Sequence, residues 1–282
     1  MIILVVVVGA IAAQLVLDHR TADEPAVGGP SVANLSDQAG KFSTADTAPA
    51  VAPATQAAWG PGTAVLNAIP VGSAVERAGA DTKLVALTFD DGPSTYTRAI
   101  VETLARNGAT ATFFVVGRQV QANPHDMQRI VDAGNEIGDH TWSHADVPKL
   151  KAKERRSEIQ GTSDVIKQVV GLRPQLFRPP YGSMTAKTNA LARTLGMLPV
   201  VWTVDTSDYK ATTAREIVDR ALAGLEPGAI ILMHDGGGDR SKTVAALPLI
   251  LKAIADRGYD VVTVSQLLHE APPAAGNLRE HL

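Results

Sequence analysis

Two adjacent carboxylates, Asp90 and Asp91, close the apolar run Leu84-Val85-Ala86-Leu87-Thr88-Phe89 and precede Gly92-Pro93. Successive side chains of an extended segment point to opposite faces, so one acid can bind a cation while the other faces a substrate. Two histidines follow at i and i+4, in His140-Thr141-Trp142-Ser143-His144. That spacing sets both imidazoles on one side of a helical turn, where they can share an ion. One aspartate and two histidines, with a coordination position left for water, form a hydrolytic metal arrangement. The chain has no cysteine, which removes thiolate ligands, disulfides and a cysteine nucleophile. Any metal must be held by His, Asp or Glu.

Further polar residues follow other short apolar runs. Phe177-Arg178-Pro179-Pro180-Tyr181-Gly182 places Arg178 where it could clasp a carboxylate in a bidentate pair, on a backbone stiffened by two prolines. Residues 200–204 lead into Asp205-Thr206-Ser207-Asp208-Tyr209, and residues 230–233 into His234-Asp235-Gly236. An aspartate beside a histidine raises its basicity and fixes its tautomer, which suits a general acid near a cation. Taken singly, each motif has a plain structural reading: a capped turn, a surface arginine, a buried histidine. Taken together, five run ends in one chain carry the parts of one site. His19, His125, His269 and His281 fall outside this pattern and are read as structural or solvated.

The elements that must position these residues alternate. Strands are expected at residues 84–89, 111–116, 136–140, 176–178, 198–204, 229–234 and 259–263. Helices are expected at 98–107, from 123 to 134, and at 152–170, 185–195, 213–225, 244–257 and 264–269. Runs such as Ile230-Ile231-Leu232 are apolar on both faces, as in a buried parallel sheet. About seven repeats predict an α/β fold of the distorted (β/α)7 barrel type. In barrels the chemistry sits at the C-terminal strand ends, which is where these motifs fall.

The folded part is expected over residues 81–270, with a C-terminal tail at 271–282. Residues 1–20 begin with an apolar run free of charge and are read as a signal peptide or signal anchor. Residues 21–80 are rich in Ala, Pro, Gly, Ser and Thr and read as a disordered linker. The protein is therefore expected outside the cytoplasm, secreted or anchored to the membrane by its N-terminal segment, as a monomer. Net charge is −3, and the sequence is read as holding no basic surplus or Lys/Arg block, which argues against a nucleic-acid partner.

Five motifs in this order resemble the polysaccharide deacetylase family, also called the NodB-homology or carbohydrate esterase 4 group. They are Thr88-Phe89-Asp90-Asp91-Gly92-Pro93, His140 to His144, Arg178-Pro179-Pro180-Tyr181, Asp205 to Asp208, and Leu232-Met233-His234. The resemblance covers about residues 84–268 and implies the same distorted barrel. It implies Asp91, His140 and His144 as ligands of one divalent metal, zinc by first choice with Co, Ni or Mn able to serve. Asp90 becomes the general base, tuned by Arg178, and His234 the general acid, supported by Asp208. The Tyr181 N–H helps form an oxyanion hole, with Pro180 and Tyr209 on the substrate side. Tyr209 departs from the family pattern, which usually has Trp there. The activity implied is removal of N-acetyl groups from an amino-sugar polymer. Peptidoglycan is the first choice, followed by chitin-like oligomers and acetylated xylan. A non-catalytic carbohydrate-binding domain would lack a ligand or base, and none is missing here.

Overall fold

The computed structural model describes residues 60–280. The apolar segment 1–20 and residues 21–59 of the expected linker lie outside the described residues. Among the described residues, no helix is long and apolar enough to cross a membrane.

Helix α1 (Gly62–Ala68) and strand β1 (Ala74–Val75) come first. Then follow β2 (Leu84–Asp90), α2 (Thr97–Arg106), β3 (Thr112–Val115), α3 (Gly117–Ala122), α4 (Pro124–Asp132), β4 (Glu136–Asp139) and α5 (Ala152–Val170). After these come β5 (Leu176–Phe177), α6 (Ala186–Thr194), β6 (Leu198–Pro199), β7 (Val204–Asp205), α7 (Ala214–Ala223) and β8 (Ile230–His234). The last elements are α8 (Ser241–Asp256), β9 (Asp260–Val262), α9 (Val264–Glu270) and β10 (Leu278–Arg279).

The main sheet has the order β6-β5-β4-β3-β2-β8-β7, with every pair parallel. β9 runs beside the first half of β2 and β3 beside its second half. Parallel strands covered on both faces need apolar side chains on both, and Val85 to Asp90 of β2 are buried throughout. α2 lays Ile100, Val101 and Leu104 on this layer. α5 ends where Gly171 takes a left-handed conformation (φ 79°), a stop that favours glycine.

The stretch expected as one strand at 198–204 is two. β6 pairs with β5 at one end of the sheet, and β7 pairs with β8 at the other. Between them Val200 N donates to Phe177 O and Thr203 N to Ile230 O, at 2.9 and 3.0 Å. This segment joins the two outer ends of the sheet and curls it into the expected distorted barrel. Pro199 has no N–H to donate, so a long regular strand could not continue through it.

The boundaries at both termini also differ from expectation. Residues 60–80 are not linker: Val65, Ile69, Val75 and Ala78 are buried against α9 and the sheet, and Ala74 is buried in β1. The C-terminal stretch is not a loose tail, because β10 pairs antiparallel with β1 and Arg279 meets Glu76. Small residues hide this in composition, since alanines fill close gaps without adding hydrophobic weight. Gly60 N donates to Ser265 Oγ at 3.1 Å, which fixes the entry of the chain beside the start of α9. Asn123 precedes α4 as expected but does not cap it; its amide bonds the Pro93 and Gln119 carbonyls instead.

Candidate active site

Asp91, His140 and His144 come together from two loops at the C-terminal end of the sheet, with ligand atoms within 4.8 Å of one another. Asp91 Oδ1 lies 3.2 Å from His144 Nε2 and 3.6 Å from His140 Nε2. The remaining ring nitrogens are held from behind. His140 Nδ1 meets the Arg178 carbonyl at 2.7 Å, so Nδ1 carries the proton and Nε2 keeps its lone pair. His144 Nδ1 lies 3.2 Å from the Tyr181 hydroxyl. Burial pushes the His140 imidazole down to about 3, so it stays neutral, the form that ligates. Asp91 Oδ1 is buried without a hydrogen-bond partner, a costly condition unless a cation satisfies it. Two imidazoles and a carboxylate converging on such an oxygen fit a divalent metal.

Bare backbone stands behind Asp91. A Cβ on Gly237, at φ 72°, would lie 2.5 Å from Asp91 Oδ2, and one on Gly236 would lie 2.2 Å from the Asp91 carbonyl oxygen. Arg240 Nε donates to Gly236 O at 2.6 Å and pins this loop.

Asp90 ends β2 and is buried. Arg178 is the largest fully buried side chain among the described residues. Its Nη1 donates to Asp90 Oδ1 at 2.8 Å and to Thr88 Oγ1 at 2.7 Å. Its Nη2 and Nε donate to the carbonyls of Val201 and Val200, at 3.1 and 3.4 Å. The expected bidentate clasp is therefore absent: one nitrogen serves Asp90, and the others grip the segment that joins the sheet's ends. Burial raises the Asp90 carboxyl above its ordinary range, although the Arg178 charge pulls the other way. Asp90 Oδ2 faces His140 Nε2 at 3.7 Å.

His234 ends β8. Its Nδ1 donates to Asp208 Oδ1 at 2.7 Å, and its backbone N–H donates to Asp208 Oδ2 at 2.9 Å. Thr243 Oγ1 donates to the same Oδ2 at 2.7 Å. Burial alone would lower the His234 imidazole, but the hydrogen bond and charge of Asp208, with Asp90 and Asp91 beyond, raise it on balance. Burial works against the Asp208 carboxylate too, and the His234 and Thr243 bonds outweigh it and hold it low. The neighbouring Asp235 is not the partner. Its carboxylate accepts from Thr97 Oγ1 and its backbone carbonyl from Ser94 Oγ, and burial raises its carboxyl to about 7.

Tyr181 and Tyr209 are the exposed aromatics of this face, 70% and 49% accessible, and Pro180 is buried beneath. The Tyr209 ring meets His234 edge-on with centroids 5.5 Å apart, and the Tyr181 ring meets His144 at 4.6 Å. Asp205 is exposed and only braces its turn, through Ser207 N at 2.6 Å. His125 and His269 are exposed on α4 and α9, while His19 and His281 lie outside the described residues.

The structure thus gathers Asp90, Asp91, His140, His144, Arg178, Tyr181, Asp208, Tyr209 and His234 at one end of the sheet. Motif reasoning quoted Thr88 and Gly236 without a role and missed Thr243, Gly237 and the carbonyls of residues 200 and 201. Backbone strain marks the same place. Among the described residues, the non-glycine residues with positive φ are Asp91, Thr141, His144, Tyr181 and Ser207, at 76, 67, 61, 62 and 48°, all in these loops. Such conformations cost energy and concentrate where side chains must be aimed.

A polysaccharide deacetylase family model matches residues 77–200. The peptidoglycan-N-acetylmuramic acid deacetylase PdaC of Bacillus subtilis is 40% identical over 186 residues, 66% of this chain and 38% of that protein. The chain therefore spans well under half the length of that relative. A peptidoglycan-N-acetylglucosamine deacetylase of Bacillus cereus is 38% identical over 189 residues, 66% of this chain and 88% of that protein. The solved structure of peptidoglycan deacetylase PdaC from Bacillus subtilis superposes with a TM-score of 0.62 at 39% identity, covering 67% of this chain and 91% of that one. A relative matched along nearly its whole length, and a curled parallel sheet shared with a solved deacetylase, establish that this chain belongs to the polysaccharide deacetylase family.

Proposed function

We propose that this protein is a metal-dependent deacetylase that hydrolyses N-acetyl groups of peptidoglycan N-acetylglucosamine outside the cytoplasm and releases acetate. The observation that carries the reading is one cleft holding a buried Asp90–Arg178 pair and a His234–Asp208 pair beside the cluster of Asp91, His140 and His144. Relatives named for peptidoglycan support the choice of polymer.

Asp91, His140 and His144 would hold the ion, zinc by first choice. When bound, it would supply Lewis-acid polarisation of the acetyl carbonyl and acidify water at the site. Asp90, held by a single guanidinium nitrogen, accepts the proton of the attacking water at its other oxygen. Its raised carboxyl makes it a stronger base for that transfer, while Oδ1 stays paired with Arg178. Arg178 fixes the Asp90 rotamer and supplies the backbone carbonyl that sets the His140 tautomer, so one residue aligns base and ligand. The Tyr181 N–H, in its left-handed turn, stabilises the developing oxyanion. His234 donates the proton of Nε2 to the leaving amine, and Asp208 stabilises the imidazolium before that transfer. Tyr181 and Tyr209 flank the sugar with aromatic surface.

The test is acetate release from purified peptidoglycan, chitohexaose and acetylxylan, with and without chelator. Chelator-sensitive release from peptidoglycan is expected. Release from none of the three would sink the proposal, and release from acetylxylan alone would replace amide with ester hydrolysis.

A further inference from the structure

The chain's net charge of −3 conceals a local block. Lys149-Leu150-Lys151-Ala152-Lys153-Glu154-Arg155-Arg156 sets five cations against one acid, which corrects the expectation that no Lys/Arg block exists. Its cations do not serve the helix. Lys151 is the N-cap of α5 and Lys153 and Arg156 lie in its opening turns, where the macrodipole disfavours positive charge. Only Arg155 turns inward, donating to the carbonyls of Val147, Pro148 and Leu150 at 3.1, 3.4 and 2.9 Å. Lys149, Lys151, Lys153 and Arg156 are exposed. Lys149 pairs with Asp146 at 2.7 Å. Among the described residues, Lys151, Lys153 and Arg156 form no ion pair; Arg156 only reaches the Gln160 amide oxygen at 3.4 Å.

This strip borders the cleft. Further along α5, Glu158 accepts hydrogen bonds from Ser143 N and Ser143 Oγ, each at 2.8 Å, and so ties the helix to the His140–His144 loop. The 3-10 turn Val147–Lys149 links that loop to the strip. We propose that Lys149, Lys151, Lys153 and Arg156 form a docking strip for carboxylates carried on the glycan strand, an inference that rests on the peptidoglycan reading. The deacetylase would thereby prefer a peptide-bearing, anionic polymer over neutral chitin-like chains. Carboxylates suit the strip better than phosphate. Glu154 already occupies the Lys151 N–H at 3.0 Å, so a carboxylate sits where a helix end would otherwise cradle a phosphate. What remains is a row of separate single-point cations, suited to dispersed acids.

The test uses the full chain with Lys151→Gln, Lys153→Gln and Arg156→Gln combined, none of which belongs to the cleft machinery. Three substrates are compared: peptidoglycan freed of phosphate polymers, the same glycan after amidase removal of its peptides, and chitohexaose. On the first, KM is expected to rise about tenfold in the variant, with kcat kept. About 0.5 M salt should bring the wild type to the same KM, because screening then acts within a few ångströms. The other two substrates should not distinguish variant from wild type. Equal loss on all three, or no change on the first, would overturn the inference. A variant effect only on wall material that retains its phosphate polymers would overturn the carboxylate assignment. If no substrate releases acetate, the deacetylase reading has failed. Co-sedimentation with the first material then decides the strip alone: weaker pelleting of the variant supports it, and equal pelleting overturns it.

Discussion

Glu136 and Asp90 are both carboxylates buried in one parallel sheet, the first where β4 begins and the second where β2 ends. Their surroundings differ in kind. Glu136 Oε2 accepts from Thr112 Oγ1 at 2.9 Å and from Ser265 N at 3.1 Å, and its other oxygen accepts from Ser265 Oγ. Those hydroxyls in turn accept the N–H groups of Val264 and Gly60, so the network closes on itself. At the other end, Asp91 Oδ1, Asp139 Oδ2, Thr141 Oγ1 and Asp235 Oδ1 are all buried without a hydrogen-bond partner. A closed set of bonds holds elements in place. An open set keeps binding capacity for something the chain does not itself contain. Buried acids at the two ends of one sheet thus differ in how far their bonds are met, where burial alone would class them together.

The sharpest attempt to break this contrast is Asp90→Asn. Turnover should fall roughly 10²–10⁴-fold, the usual worth of a positioned general base, while zinc binding by equilibrium dialysis is kept. Wild-type acetate release from that variant would erase the distinction between the two ends. Glu136→Ala probes the opposite end. It strands the Thr112 and Ser265 donors and should cost about 2–3 kcal/mol in urea unfolding, with kcat of the folded fraction unchanged. A lowered kcat without lost stability would mean that the closed network reaches the chemistry.

Gly237→Ala tests whether the Asp91 carboxylate needs bare backbone behind it. Zinc affinity should drop about tenfold, as for other disturbed supports of a ligand. Gly238→Ala, whose Cβ meets nothing nearer than 3.6 Å, should keep affinity and show only backbone strain. Equal zinc affinity in both variants would make the close approach irrelevant.

The smallest effect concerns pH. The His234 imidazole is raised, so its pairing with Asp208 stabilises the fold fully below 6.5, and that stability is lost as pH climbs through the raised value. The protonated acid likewise persists to higher pH, and the alkaline limb of kcat should lie above the ordinary imidazole range. Asp208→Asn should move that limb to lower pH, read from a pH–rate profile. An unmoved limb would assign it to another group.

The site was legible because its residues sit in dense motifs at strand ends, and α5 emerged at residues 152–170 because Gly171 stops it cleanly. Other parts were hidden for physical reasons. Thr88 and Thr243 act through single hydroxyls whose partners lie far along the chain, and residues 200 and 201 act through carbonyls that every residue possesses. Adjacency suggested Asp235 as the neighbour of His234, but consecutive strand residues face opposite ways, and Asp208 arrives from another strand end. The run at 198–204 looks like one strand because apolarity reports burial, not which edge a strand joins. Residues 60–80 look like linker because alanine, proline and glycine say little about packing until the gap they fill is seen.

The bond from Gly60 to Ser265 lies at the end of the sheet where strands begin, and the cleft opens where they finish. The described fold therefore begins at the back of the domain, away from the mouth of the cleft, and a bond at Gly60 can be altered without touching the groups that line that mouth.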